Sequence, residues 1–169
     1  YDYEDLDTGI RVTALLGPLM AAGASGQAWM KELPAAMATV QTLYNDVITG
    51  YPDTTEMEAR FRKLLEYSLP DEIESLSKLM LAAALIVQER FEEALEVMDP
   101  ADFGAEPSPL LYHQRGTCLG GLERYDEALQ EYETYSQLLG WDSSLRELTA
   151  DLYLAKGDRE TALEHSKMG

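Results

Sequence analysis

The sequence predicts an all-α fold made of repeated helical hairpins, and three observations support that prediction. One phrase occurs three times, as FEEAL at 91–95, YDEAL at 125–129 and RETAL at 159–163. The alanines of the three phrases are 34 residues apart both times: Ala94, Ala128 and Ala162. Turn-forming residues lie between the phrases, as Pro100, the stretch 104–109 and Gly140, and agree with a division of the chain at this period. A fixed period of this size indicates stacked helical hairpins, which build extended surfaces for binding.

The 34-residue register divides the second half of the chain into three units, 75–108, 109–142 and 143–169. In each unit a first helix precedes the phrase and a second helix contains it. The predicted first helices are 71–89, 109–122 and 143–156, and the predicted second helices are 91–99, 125–139 and 159–167. Helix-ending residues agree with this division, because Gly157 falls inside the last unit and Gly140 ends the middle one.

The alanine of each phrase is expected where the two helices of a hairpin approach closely, since a larger side chain would push them apart. One turn earlier a large residue fills the space in two of the units, as Phe91 and Tyr125, and Arg159 takes that place in the last unit. Leucines follow each alanine and continue the apolar stripe at helical spacing: Leu95, Leu129 and Leu163.

Further positions repeat in the same register. The middle unit has the fullest set: Tyr112, Gly116, Leu119, Tyr125, Ala128 and Tyr132. The last unit has Ala150, Tyr153, Gly157 and Ala162, with Arg146 and Ser166 in place of aromatic residues. The first unit has Ala82, Leu85, Phe91, Ala94 and Met98, with Lys78 at an aromatic position. In this pattern the chain resembles the tetratricopeptide repeat family. The resemblance implies a right-handed α–α superhelix of helical hairpins.

Residues 1–74 are predicted to be helical without fitting the register. Pro34 is expected near a helix start or a kink, before an amphipathic run at 35–48. A turn at 49–53 and a helix at 54–68 follow.

We interpret 35–70 as a degenerate repeat and 9–31 as one or two helices that cap the stack, because solenoids need atypical end units. The whole chain, 1–169, is then one helical domain, with 1–74 as its degenerate and capping part.

The first residues also have features of an export signal. An apolar run at 12–24, followed by small residues, is typical of the core of such a signal. The segment before it has four acidic residues and only Arg11 as a cation, whereas a secretory signal needs a positive leader. We therefore favour a buried helix. Because the chain opens on Tyr1 rather than Met, it is expected to be a fragment or a processed form, and a targeting or regulatory module of a larger enzyme stays an alternative.

Composition restricts the compartment and the partners. The 13 Lys and Arg against 31 Asp and Glu give a net charge of −18, which repels phosphate backbones and argues against nucleic acid as a partner. The acidity would favour a basic ligand, or it could serve solubility alone. No apolar run reaches the ~20 residues that span a bilayer. The single cysteine, Cys118, fits a reducing, cytoplasmic compartment, with a periplasmic or secreted location still open.

The sequence has no catalytic motif: a nucleophile elbow, a Gly-rich phosphate loop, HExxH and CxxC are all missing. His113 and His165 are isolated from each other, and Cys118 is expected to be a small buried core residue. The acidic segment 2–7 lacks the glycine and the terminal glutamate of a calcium loop. We therefore predict no enzyme activity, no cofactor and no metal.

The family resemblance implies a concave groove that is lined by the first helices and takes a peptide or a helix of a partner protein. The lining residues by register are Leu76, Leu79, Ala83, Ile86, His113, Thr117, Gly120, Ser144, Glu147, Asp151 and Leu154. No Lys, Arg or Asn is among them, so a clamp for an acidic carboxyl terminus is disfavoured. The apolar members could equally be core residues.

This groove would be apolar at its N-terminal end and acidic at its C-terminal end, which suits an amphipathic or basic peptide. A protein-interaction scaffold or adaptor is therefore the leading expectation. Two alternatives stay open: the N-terminal helices could occupy the groove, or an exposed end of the stack could pair two copies in a homo-oligomer.

Overall fold

A computed structural model of the protein describes residues 28–50 and 53–168. Over these residues the chain is all-helical, with no strand, which confirms the predicted fold class. The helices are α1 (Trp29–Thr49), α2 (Thr55–Leu65), α3 (Asp71–Val87), α4 (Phe91–Val97), α5 (Pro109–Gly121), α6 (Tyr125–Leu139), α7 (Ser143–Lys156) and α8 (Arg159–Met168). A 3-10 turn, Pro100–Asp102, follows α4.

The chain divides into two compact units, Tyr1–Arg90 and Phe91–Gly169. The boundary falls between α3 and α4, inside the predicted repeat 75–108. In the first unit α2 packs against both α1 and α3. In the second unit successive helices pack in order from α4 to α8, with α5 against α6 and α7 against α8 as the two complete hairpins.

The first unit differs from the prediction at its start. Helix α1 begins at Trp29 rather than at residue 35, so that Pro34 lies inside it. Proline there removes one backbone hydrogen bond, but Trp29 and Leu33 are buried and stabilise the early turns through their apolar contacts. Residues 29–31 therefore belong to α1 and not to the predicted cap.

The rest of that cap lies outside the described residues, and so do the apolar run 12–24 and the acidic segment 2–7. Two residues of the predicted turn at 49–53 lie outside them as well.

A polar network ties α2 to the end of α3. The Glu58 carboxylate accepts hydrogen bonds from Arg62 Nε at 2.9 Å, Gln88 Nε2 at 3.1 Å and Arg90 Nη1 at 2.7 Å. Burial disfavours the charged form of Glu58, but the hydrogen bonds from Arg62 and Gln88 and the charges of Arg90 and Arg62 outweigh it and lower the pKa of Glu58. The carboxylate thus has a structural role.

The 34-residue register is visible in the backbone. Glu89, Glu123 and Gly157 all have a positive φ, of 58°, 60° and 99°, and they lie one or two residues after the ends of α3, α5 and α7. The next residue in each case donates its N–H to the fifth carbonyl before it, as Arg124 does to Leu119 at 2.9 Å. This is the hydrogen-bond pattern of a left-handed helix cap. One turn geometry therefore closes all three helices, with glycine in only the last.

The predicted repeat helices agree with the structure to within two residues at each end. Helices α6 and α7 match their predicted ranges, whereas α4 ends at Val97, two residues before the predicted end. All three register alanines are buried, as expected of residues at close helix contacts.

Candidate functional site

Glycines in α5 let neighbouring side chains approach its backbone. A Cβ at Gly116 would stand 2.9 Å from the Tyr132 ring of α6, and one at Gly120 would stand 3.2 Å from Leu152 Cδ2 of α7. At Gly121 a Cβ would overlap the Phe91 ring. The glycines of α5 thus serve contacts within the second unit, and Gly120 marks where α7 lies against α5.

A hydroxyl and ring cluster fills the angle between α5 and α6. Thr117 Oγ1 donates to the His113 carbonyl at 3.1 Å and lies 3.2 Å from the Tyr132 hydroxyl. The His113 ring meets the rings of Tyr132 and Tyr135 edge-on, with centroids 5.6 and 5.2 Å apart. His113 is buried, whereas Thr117 stays half-buried. This part of the predicted groove is therefore well ordered by aromatic packing.

Gln114 is a residue that the sequence analysis missed. Its side chain is 1% exposed, and among the described residues neither its amide oxygen nor its amide nitrogen has a hydrogen-bond partner. Burying an unpaired amide costs about 1–3 kcal/mol. The sequence contained a sign of this position. Gln114 is polar, whereas the same register position in the neighbouring units is apolar, as Met80 and Leu148.

Helix α7 presents a continuous exposed stripe. Ser144, Glu147, Asp151 and Leu154 are all exposed, at spacings of three and four residues that place them on one side of the helix. The opposite side is buried through Leu145, Thr149 and Ala150. An Asp142 carboxylate that accepts from the Leu145 N–H at 2.7 Å caps the start of α7. The stripe therefore lies on a well-defined helix.

The predicted groove residues consequently fall into two groups. The four in α3 are buried in the first unit: Leu76, Leu79, Ala83 and Ile86. The other seven belong to α5 and α7 of the second unit. Within that unit, Gly120 and Leu152 bring the two helices together.

The Arg115 side chain of α5 holds neighbouring segments together through hydrogen bonds. Its Nε donates to Glu131 Oε1 at 3.0 Å and its Nη1 to the Met98 carbonyl at 2.9 Å, which joins α5 to α6 and to the residue after α4. Near it, burial raises the pKa of the Cys118 thiol to about 12, although the Arg115 charge acts in the opposite direction. Such a thiol is a poor nucleophile.

Three rings and one guanidinium pack together between α8, α7 and the residues just before α7. The His165 ring stacks on Tyr153 with centroids 5.4 Å apart and lies 5.5 Å from the Trp141 ring. The Arg146 guanidinium carbon stands 5.0 Å from the centroid of Trp141. Arg146, which replaces an aromatic residue of the repeat pattern, thus makes a cation–π contact instead.

Within 28–50 and 53–168, no group of three His, Cys, Asp or Glu side chains could hold a metal ion. Over the same residues no helix has both the length and the apolarity to cross a membrane.

The helical hairpins, their common left-handed turns and the small residues at their contacts define a helical-repeat fold of the tetratricopeptide type. The chain is similar to a solved structure of MamA AMB-1, with a TM-score of 0.65 and 19% sequence identity. The match covers 97% of this chain and 94% of that chain, and at this identity it shows the fold alone. No family model matches the chain, and no curated protein matches its sequence.

Proposed function

We propose that the protein is a non-catalytic scaffold or adaptor that binds a peptide or a helix of a partner protein. The binding surface, the α5–α7 face, consists of Thr117, Gly120, Ser144, Glu147, Asp151 and Leu154, and the buried His113 supports Thr117 through its backbone carbonyl. The observation that carries the proposal is the exposed stripe on α7, which has two carboxylates and one leucine. Leu152 of the same helix lies against Gly120 of α5. A helical-repeat fold supports the proposal, because such folds present extended surfaces to partners.

The chemistry of the stripe favours a basic, amphipathic partner. Glu147 and Asp151 are one turn apart and exposed, and within the described residues neither forms an ion pair. Leu154 is 53% exposed three residues further on and offers an apolar contact. A helix with cations on one side and apolar residues beside them satisfies both features. The net charge of −18 would speed its approach.

The second unit is the better place for this surface than α3. The four α3 positions of the predicted groove are covered by surrounding atoms, so their apolar area is already removed from water. Residues that are already buried add little to the binding free energy, because a ligand removes no further apolar area of theirs from water. We assign these four residues to the core of the first unit, and His113 to the support of Thr117.

Calorimetry with a synthetic amphipathic helix of leucine and lysine tests the proposal. We expect the wild-type protein to bind it, and the double variant Glu147→Lys, Asp151→Lys to bind at least about tenfold more weakly, because two attractions become repulsions. Rising salt should weaken the wild-type complex.

The matched control is Glu92→Lys, Glu96→Lys on α4. These exposed residues have the same i,i+4 spacing in the same unit, and the change in net charge is identical. The control should keep most of the affinity. Equal loss in the two double variants would mean that the peptide responds to total charge, and the α5–α7 face would then be the wrong site.

A further inference from the structure

The two carboxylates and the leucine of the α7 stripe form a narrow row along the helix. Glu147, Asp151 and Leu154 stand at positions i, i+4 and i+7 of α7. At a rise of about 1.5 Å per residue, the first two are about 6 Å apart along the axis and the last two about 4.5 Å. All three fall within an arc of about 60°, because each residue turns the helix by about 100°.

The cations of α7 are engaged away from this row. The helix has two of them, Arg146 and Lys156. The Arg146 guanidinium stands over the Trp141 ring, and Lys156 forms an ion pair with Asp126 of α6. In the part of the chain that the structure describes, the carboxylates of the row therefore have no cation of their own helix to neutralise them. Cations of a partner would supply that charge.

The intervals of the row fit a partner that is itself helical. A second helix alongside α7 has the same rise per residue, so its own i, i+4 and i+7 positions meet the three residues of the row. An extended strand rises about 3.3 Å per residue, and the side chains on one side of it recur every ~6.6 Å. A strand would match the interval between the carboxylates but not the shorter interval to the leucine.

Helix dipoles favour one direction for this partner. Each helix has about half a positive charge at its N-terminus and about half a negative charge at its C-terminus, so antiparallel neighbours place opposite charges together. In that direction the partner residue against Leu154 comes first, and the cations against Asp151 and Glu147 follow it. The cations then lie toward the C-terminal end of the partner helix, where they are most favourable.

We propose that the partner segment is an amphipathic helix that runs antiparallel to α7 and has the pattern Leu-x2-Lys-x3-Lys. Its leucine packs on Leu154, its first lysine pairs with Asp151 and its second lysine pairs with Glu147. This inference rests on the proposed function, and it specifies the partner of the same surface.

Calorimetry of the full chain with three peptides tests the pattern and its direction. All three have one composition in an alanine and glutamine host, and circular dichroism verifies that their helix contents are equal. The first peptide has the proposed pattern, the second has the reverse order, Lys-x3-Lys-x2-Leu, and the third spreads the same residues over different sides of the helix. The first should bind about threefold more tightly than the second and about tenfold more tightly than the third.

A double-mutant cycle tests the pairing of Asp151. It combines Asp151→Asn with a peptide whose first lysine is replaced by glutamine, and the two changes together should weaken binding about threefold less than the product of the single losses. Glu96→Gln on α4 is the matched control, because it removes the same charge from an exposed residue of the same unit. The control should show no coupling with that lysine.

The outcomes separate this inference from the proposed function. Equal affinity for the three peptides, or tighter binding of the reverse order, would overturn the antiparallel pattern and leave the scaffold function in place. Equal coupling of Asp151 and Glu96 to the lysine would overturn the pairing. No binding of any of the three peptides would overturn both proposals.

Discussion

The hairpins α5/α6 and α7/α8 share one register, yet they fill it with side chains of different volume. In the middle hairpin the Tyr132 ring packs against Gly116, where a Cβ would stand only 2.9 Å from the ring. In the last hairpin the same two positions are Ala150 and Ser166. Tyr132 is buried, whereas Ser166 is exposed.

The difference shows that the repeat keeps its backbone while the side chains packed within it change. Both hairpins close through the same left-handed turn, so the backbone does not depend on the size of the packed pair. The large–small pair stabilises the middle hairpin as the core of the second unit. The last hairpin, with the smaller pair, has exposed leucines at Leu154 and Leu163 and an exposed acidic stripe.

The largest expected effect is at the packed pair. Tyr132→Ala should lower the free energy of unfolding by about 3–5 kcal/mol, because it leaves a cavity and removes the hydroxyl beside Thr117. Ser166→Ala should change it by less than about 0.5 kcal/mol, as is usual at exposed sites. Urea denaturation measures both values. Similar losses in the two variants would show that the hairpins are packed alike.

The next largest effect on stability is expected at Gly116, which faces the Tyr132 ring. Gly116→Ala should destabilise the protein by about 1–3 kcal/mol, since the new methyl group overlaps the Tyr132 ring. Without the overlap alanine would stabilise the helix by about 1 kcal/mol. The reverse change in the last hairpin, Ala150→Gly, should lower the free energy of unfolding by about 1 kcal/mol, because glycine is less favourable than alanine inside a helix. A gain of stability in Gly116→Ala would contradict the close contact.

Gln114→Met should increase stability by about 1–3 kcal/mol, because it removes an unpaired buried amide at similar volume. Methionine at this register position occurs in the first unit as Met80, which is also buried. Thermal and urea unfolding would report the gain. The neighbouring Thr117→Val is the control, and it should lose stability because Thr117 is hydrogen-bonded. A loss in Gln114→Met would mean that the amide is satisfied.

The smallest expected effect is at the shared turn. Gly157→Ala should cost about 1 kcal/mol, because a Cβ is unfavourable at positive φ. Glu123→Gly at the equivalent position should be neutral or stabilise by up to about 1 kcal/mol, since the relief of strain is partly offset by unfolded-state entropy. Chemical denaturation of both variants at one pH would compare the turns. If both substitutions changed the free energy of unfolding in the same direction, the two turns would not be equivalent.

Periodicity was sufficient to predict the repeat helices, because each hairpin has the same local signals for its start, its close contact and its end. The start of α1 was mispredicted because the amphipathic run was taken to begin after Pro34, which was expected near a helix start or a kink, whereas burial of Trp29 and Leu33 extends the helix before it. That burial depends on neighbouring helices, which a local pattern does not describe.

The candidate site was harder to predict for the same reason. Register identifies which positions are equivalent, and it placed Ser144, Glu147, Asp151 and Leu154 on one helix side. It does not tell which equivalent positions stay uncovered, so buried α3 residues appeared in the same set. Gln114 was not predicted because a polar residue is unusual only where it is buried, and the sequence alone does not show that Gln114 is buried.

The buried cysteine provides a built-in reporter of motion in the second unit. Cys118 is the single cysteine of the chain, it has no exposed area, and burial raises its pKa to about 12. A thiol reagent can therefore modify it only in molecules whose α5 has opened. The rate of alkylation in native buffer, divided by the rate in the unfolded chain, would report the population of those open molecules without any engineered label.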